Sequence, residues 1–93
     1  MGEPIPGAPA VSEFGTFVLS LATNAMLHLG ALPDPDTNEA KVNLPLACQT
    51  IDILAMLQAK TKGNLDRPEE QLLERLLYDL RLRYVQSSKR PSP

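Results

Sequence analysis

The stretch between Asn43 and Gly63 constrains the fold more than any other part of the chain, because its apolar residues almost encircle a helix axis. Asn43 is a good N-cap residue, Pro45 fits a first helical turn, and Gly63 is a typical C-terminal stop. The pattern predicts a helix over residues 44–62. A helix that is apolar on all sides has to be buried on all sides, and two sibling helices cannot cover it completely.

A preceding helix is predicted over residues 12–30, with Ser12 as N-cap and Gly30 as stop. Its wide apolar face carries Phe14, Phe17, Val18, Leu21, Ala22, Ala25 and Leu29. The run from Phe14 to Pro33 has no formal charge and is long enough to cross a bilayer. A polar stripe of Thr16, Ser20, Thr23 and Asn24 nevertheless argues against a membrane span.

The third helix is predicted over residues 67–86, where Asp66 and Glu69 have the spacing of a capping box. Its apolar stripe carries Leu72, Leu73, Leu76, Leu77, Leu80 and Tyr84. Residues 31–43 are rich in Pro, Asp and Asn and predict an ordered turn. No strand pattern is present. The predicted fold is all-α, a three-helix bundle or a helical hairpin plus a helix, completed by oligomerisation.

The size of the chain also favours oligomerisation. Of 93 residues, the Pro- and Gly-rich segment 1–11 and the basic segment 87–93 are expected to be disordered, which leaves a helical domain over residues 12–86. A core of this size is marginal, and neither a disulfide pair nor a metal-ligand cluster supports it. A homodimer, or a higher even oligomer, is therefore expected. The predicted interface residues are Leu19, Met26, Leu46, Ile53 and Leu57.

Tyr78 and Leu82 stand one turn apart on the polar face of the third helix, which marks a candidate patch for a partner. Charge is also uneven along the chain. Residues 1–40 carry five acids and no base, whereas residues 75–93 carry five bases and one acid. The basic end of the third helix is the only candidate surface for nucleic acid, which makes such binding an unfavoured alternative.

His28 is the only histidine and Cys48 the only cysteine. Both lie on apolar helix faces, so His28 is expected to be structural, with a ring nitrogen bonded to a backbone carbonyl or a turn residue. A single pair of such residues is too few for a typical zinc site and lacks the orienting group of a catalytic triad. No enzyme activity, metal or cofactor is expected. The lone cysteine and the lack of a secretory signal favour the cytoplasm.

Asp34, Asp36 and Asn38 have the spacing of the first three ligands of a calcium loop. The pattern then fails, because Glu39 replaces the required glycine and Pro45 stands where a bidentate glutamate belongs. These side chains are expected to form a turn.

Three segments, "FGTFVLSLATNAMLHLG", "LPDPDTNEAKVNLPLACQTIDILAMLQAKTKGNL" and "LLYDLRLRYV", together resemble the bacterial domain-of-unknown-function family 1844. The resemblance runs from Phe14 to Val85, with the motifs in matching order and spacing. The family typically has glycine where this chain has Asn38, and asparagine also tolerates left-handed backbone. The resemblance implies a small bacterial helical protein. It implies no activity and no functional residues, because the family is uncharacterised.

The sequence therefore predicts a non-enzymatic, self-associating helical module whose partner is another protein. Two alternatives remain at this stage. One is a binder of an apolar small ligand or lipid, held among the surplus apolar helix faces. The other is a weak nucleic-acid binder that uses the basic end of the third helix.

Overall fold

The computed structural model describes residues 12–89, which form three α-helices. They are α1 (Glu13–His28), α2 (Leu44–Lys60) and α3 (Arg67–Lys89). Within this part of the chain the only extended pairing is an isolated antiparallel bridge between Leu29 and Val42. The predicted all-α fold is confirmed. The segments 1–11 and 90–93, on which most of the predicted disorder falls, lie outside the described residues.

Each helix begins directly after the capping residue that the sequence predicted, Ser12, Asn43 or Asp66. The Ser12 hydroxyl accepts a hydrogen bond from the Gly15 N–H at 3.0 Å, and Asn43 Oδ1 accepts one from the Leu46 N–H at 3.2 Å. Backbone donors in a first helical turn have no partner inside the helix, so these side chains satisfy groups that would otherwise need water. The caps therefore fix where α1 and α2 start.

The start of α3 is a reciprocal capping box. The Glu69 N–H donates to Asp66 Oδ1 at 2.9 Å, and the Asp66 N–H donates to Glu69 Oε1 at 3.0 Å. Two free backbone donors are thus satisfied by two neighbouring carboxylates. The predicted box is confirmed.

The helix ends differ from the prediction by a few residues. Helix α1 stops at His28 rather than near 30, because Leu29 pairs with Val42 and Gly30 has a φ of +75°. Helix α2 stops at Lys60 rather than 62. Helix α3 continues to Lys89, so residues 87–89, predicted to belong to the tail, are helical.

The connection between α1 and α2 is an ordered turn. The Asn43 N–H donates to the His28 carbonyl at 2.7 Å, and the Asp34 N–H donates to the Glu39 carbonyl at 2.9 Å. Asn38 has a φ of +56°, the left-handed conformation that asparagine tolerates. The connection therefore closes on itself and returns the chain antiparallel to α1.

The core lies where the three helices meet. It consists of Val18, Ala22, Ala25, Leu29, Ala47, Ile51, Leu54, Leu73, Leu77 and Leu80. Helix α1 contributes mostly small residues, and Gly15 is also buried on it, while α3 contributes leucines. Small side chains facing large ones let helices approach closely without voids.

Helices α1 and α3 run in the same direction. The Ser12 hydroxyl, at the start of α1, donates to Glu69 Oε2 at 2.6 Å, near the start of α3. Helix α2, which lies between them in the sequence, runs in the opposite direction. Among the described helices, none combines the length and apolar character needed to cross a membrane.

Candidate interaction surfaces

The outward side of α2 exposes apolar side chains. Leu46 is 42% exposed, Ile53 36% and Met56 46%. Together with exposed Gln49 and Lys60, these residues recur at alternating steps of three and four along the helix. Such spacing keeps side chains on one line, because two turns hold about seven residues. We call Leu46, Gln49, Ile53, Met56 and Lys60 the outer stripe of α2.

The five predicted interface residues fall into two groups. Leu46, Ile53 and half-buried Leu57 share one flank of α2. This flank is opposite the one that carries Cys48 and Ala55, which line a groove against α3. In a three-helix bundle the remaining neighbour of α2 is α1. The α2 group therefore lies on the side where α1 packs.

The α1 group lies elsewhere. Leu19 and Met26 follow Ser12 at steps of seven residues, so they share the flank by which Ser12 reaches Glu69 on α3. Met26 also packs against the core, so little of it is free. The structure thus places the five predicted interface residues on two different sides of the bundle, and their role in an interface stays a prediction.

Phe17 belongs to the wide apolar face that the sequence predicts for the first helix, yet its side chain is 51% exposed. It lies about 200° around α1 from Leu19, which places it on the α2 side of the helix. The sequence showed an apolar arc too wide for one ridge of contact. It could not show which edge of that arc the neighbouring helices cover.

A second apolar surface is a groove between α2 and α3. Its middle section has a volume of about 540 Å³ and is lined by Gln58, Glu74, Leu77, Tyr78, Arg81, Leu82 and Val85. Tyr78 is 72% exposed, and Leu82 and Val85 are also exposed. The predicted Tyr78–Leu82 pair thus lies at the surface of a concave seam.

This groove continues toward both ends of α2. One continuation is lined by Ile51, Asp52 and Tyr84 and shares Arg81 and Val85 with the middle section. The other is lined by Ala59, Lys62 and Leu65 and shares Gln58 and Glu74. The groove therefore follows most of the α2–α3 seam.

His28 and Cys48 do not form a site together. The Cys48 thiol donates to Asp52 Oδ2 at 3.8 Å, within one turn of α2. His28 is half-buried. Within residues 12–89 its backbone carbonyl accepts the hydrogen bond from the Asn43 N–H, and its ring makes none. The expected ring hydrogen bond is absent from the described part of the chain.

The acidic turn has the local geometry of a turn former. Asp34 Oδ1 accepts a hydrogen bond from the Asp36 N–H at 2.8 Å, as in an Asx turn. Within residues 12–89 no group of three or more His, Cys, Asp or Glu side chains is arranged to hold a metal ion.

Charged groups form local contacts. Arg83 Nε donates to Asp79 Oδ2 at 3.1 Å, one turn back along α3. At the other end of the bundle, the Ser12 hydroxyl and then the Asp66 N–H donate to the Glu69 carboxylate, and these bonds hold its pKa below its ordinary value. Arg81 lies in the α2–α3 groove instead, so the arginines of α3 are divided between different sides of the helix.

The geometry above can be set beside known families. The sequence model of a family described as "Domain of unknown function (DUF1844)" matches residues 11–86. The chain belongs to this family. The match includes all three helices almost to the end of α3, the outer stripe of α2, and the Tyr78–Leu82 pair. No curated protein and no solved structure matches the chain. Membership therefore adds no activity to the geometry.

Proposed function

We propose that this DUF1844 member is a non-enzymatic, self-associating helical module. The observation that carries the proposal is the exposure of four large apolar side chains, Phe17 on α1 and Leu46, Ile53 and Met56 on α2, with half-buried Leu57 on the same flank of α2. We call these five residues the α1–α2 face. A second copy of the chain is the partner that would cover it.

The charge pattern supports this choice. Helix α1 carries no formal charge after Glu13, and α2 carries only Asp52 and Lys60. The exposed side of a solvated helix is normally charged, and contiguous apolar surface on a small protein marks an interaction site. Helix α3 shows the contrast, since acids and bases are frequent along its exposed side.

Size supports it as well. A helical body this small buries a smaller fraction of its surface than a larger domain, and packing two copies together enlarges the shared core. A two-fold contact is the commonest way to do so, because one patch then covers its own copy.

The α2–α3 groove is left free by this arrangement and is our proposed docking surface for a different protein. Tyrosine is enriched among the residues that dominate binding energy at interfaces, and Tyr78 is the most exposed large apolar side chain among the described residues. An apolar small ligand or lipid is the alternative occupant. The groove has the volume of a small-ligand site. Because only two helices line it, it is open along its length and suits a protein partner better than a small ligand.

Nucleic-acid binding is less well supported. It requires a basic face, whereas Arg83 is paired with Asp79 and Arg81 lies in the groove beside Glu74. We also propose a bacterial cytoplasmic location, because a lone cysteine in so small a protein fits a reducing compartment.

The test of self-association is light scattering after size exclusion at micromolar concentration. The wild type is expected to elute as a dimer, and Ile53→Glu to dissociate because it places a charge within the α1–α2 face. Gln71→Glu, at an exposed position on α3, is the matched control and is expected to remain dimeric. Circular dichroism separates dissociation from unfolding. A well-folded wild-type monomer of 10.2 kDa would refute the proposal.

A further inference from the structure

The outer stripe of α2 has the spacing of a coiled-coil seam. Its five positions run from Leu46 to Lys60, almost the whole of a helix of 17 residues. Three of these positions are apolar, Leu46, Ile53 and Met56, and the other two, Gln49 and Lys60, are polar. Side chains at this spacing let two helices pack along their length. At 1.5 Å per residue, the stripe extends for about 21 Å.

Charge decides the relative direction of the two copies. The residues of α2 include two charged groups, Asp52 and Lys60, separated by about two turns. Lys60 belongs to the outer stripe, so a parallel pairing would place it near Lys60 of the second copy, whereas Asp52 lies beside the stripe, on the flank that lines the α2–α3 groove with Arg81. An antiparallel pairing brings the acid of one copy toward the base of the other, and opposite charges across a seam set the orientation of paired helices.

We propose that a second copy of this chain packs antiparallel along the outer stripe of α2, with Ile53 facing Met56 of the second copy and Gln49 facing Lys60 of the second copy. The proposal rests on the self-association proposed above and specifies its geometry. The two-fold axis then passes between residues 54 and 55.

In this register the two Ile53–Met56 layers lie at the centre, and a Gln49–Lys60 layer flanks them on each side. Asp52 lies within one helical turn of Lys60 of the second copy, which a lysine side chain can span. Leu46 lies beyond these layers and is directed toward the turn that follows α2 in the second copy.

Disulfide trapping tests the register. Gln49→Cys and Lys60→Cys are each placed in a Cys48→Ala background, and both positions are exposed. Equal amounts are mixed, oxidised and analysed by non-reducing mass spectrometry. We expect a disulfide-linked heterodimer from the mixture and little cross-linked product from either variant alone.

The other outcomes separate this proposal from the one on which it rests. Self-cross-linking of Gln49→Cys alone would indicate a parallel pairing and overturn the antiparallel register while self-association stands. A dimer that traps no disulfide in any mixture would show that another face associates, which also overturns it. A folded monomer in light scattering would overturn both proposals.

Charge exchange provides an independent readout. Asp52→Lys and Lys60→Glu, each alone, turn both symmetry-related contacts from attractive to repulsive, and we expect each to weaken the dimer about tenfold at low salt. The double variant restores opposite charges and is expected to return to within about threefold of the wild-type Kd. Additive weakening in the double variant would contradict the antiparallel pairing.

Discussion

Ser12 and Glu69 are 57 residues apart in the chain, yet their side chains join the starts of α1 and α3. The Ser12 hydroxyl has two tasks, because it accepts from the Gly15 N–H as a helix cap and donates to the Glu69 carboxylate. Glu69 likewise closes the capping box of α3 and accepts a hydrogen bond from the Ser12 hydroxyl. The N-cap of α1 and the capping box of α3 are thereby joined by a long-range contact.

The pH dependence of stability follows from this contact. The hydrogen bonds from the Ser12 hydroxyl and the Asp66 N–H hold the pKa of Glu69 in the folded state below its ordinary value, so its contribution to stability is complete above that ordinary value. It is lost as the pH falls through the lower folded pKa. We expect Glu69→Gln to flatten the decline of Tm between about pH 5 and pH 3.

The matched control is Glu70→Gln, one residue further along the same exposed helix start. The Glu70 side chain makes none of these capping bonds, so its variant is expected to keep the wild-type slope. Thermal melts followed by circular dichroism at several pH values measure both. Equal slopes for Glu69→Gln and the wild type would show that the carboxylate contact does not persist in solution.

At the scale of the elements, helix starts could be predicted from the sequence and helix ends could not. Ser12, Asn43 and Asp66 act on the few backbone donors that follow them, so the signal is local. The end of α1 depends on the pairing of Leu29 with Val42, which lies on the far side of the connection. After Pro68 in its first turn, α3 meets no glycine or proline before Lys89, and its end has no strong local signal.

The residues of the candidate interaction surfaces likewise include some that could be predicted from the sequence and some that could not. Periodicity identified the Tyr78–Leu82 pair and the apolar flank of α2, because both follow from spacing along one helix. The exposure of Phe17 depends on where the neighbouring helices lie around α1. That information is tertiary, and helical spacing alone does not contain it.

The two glycines that end helices provide a paired prediction at this scale. Gly30 and Gly63 both have positive φ, but an added Cβ at Gly30 would lie 2.7 Å from Val42 Cγ2, whereas at Gly63 it would meet nothing within 4 Å. Gly63→Ala is expected to cost about 1 kcal/mol for the left-handed backbone alone. Gly30→Ala is expected to cost roughly 1 kcal/mol more, because the connection must also shift.

Urea denaturation of both variants measures the difference. Gly63→Ala serves as the control for backbone conformation, so the excess loss in Gly30→Ala reports the contact with Val42. Equal losses would mean that Val42, which is exposed, moves aside freely.

At the scale of the whole molecule, stability and assembly are expected to be one property. If the α1–α2 face is covered by a second copy, unfolding also separates two chains, and the Tm rises with protein concentration. Melts from micromolar to hundreds of micromolar should show this rise for the wild type. Ile53→Glu, where it folds, should show none. A Tm independent of concentration in the wild type would contradict an obligate dimer.

The shared direction of α1 and α3 has a consequence for anything joined to the bundle. The described chain enters at Ser12, beside the start of α3, and leaves at Lys89, which the 23 residues of α3 carry about 34 Å away. Anything attached to these two ends is therefore held apart by the length of α3. In the antiparallel pair proposed above, the Ser12 end of one copy lies beside the Lys89 end of the other. Each end of the dimer would then present one of each.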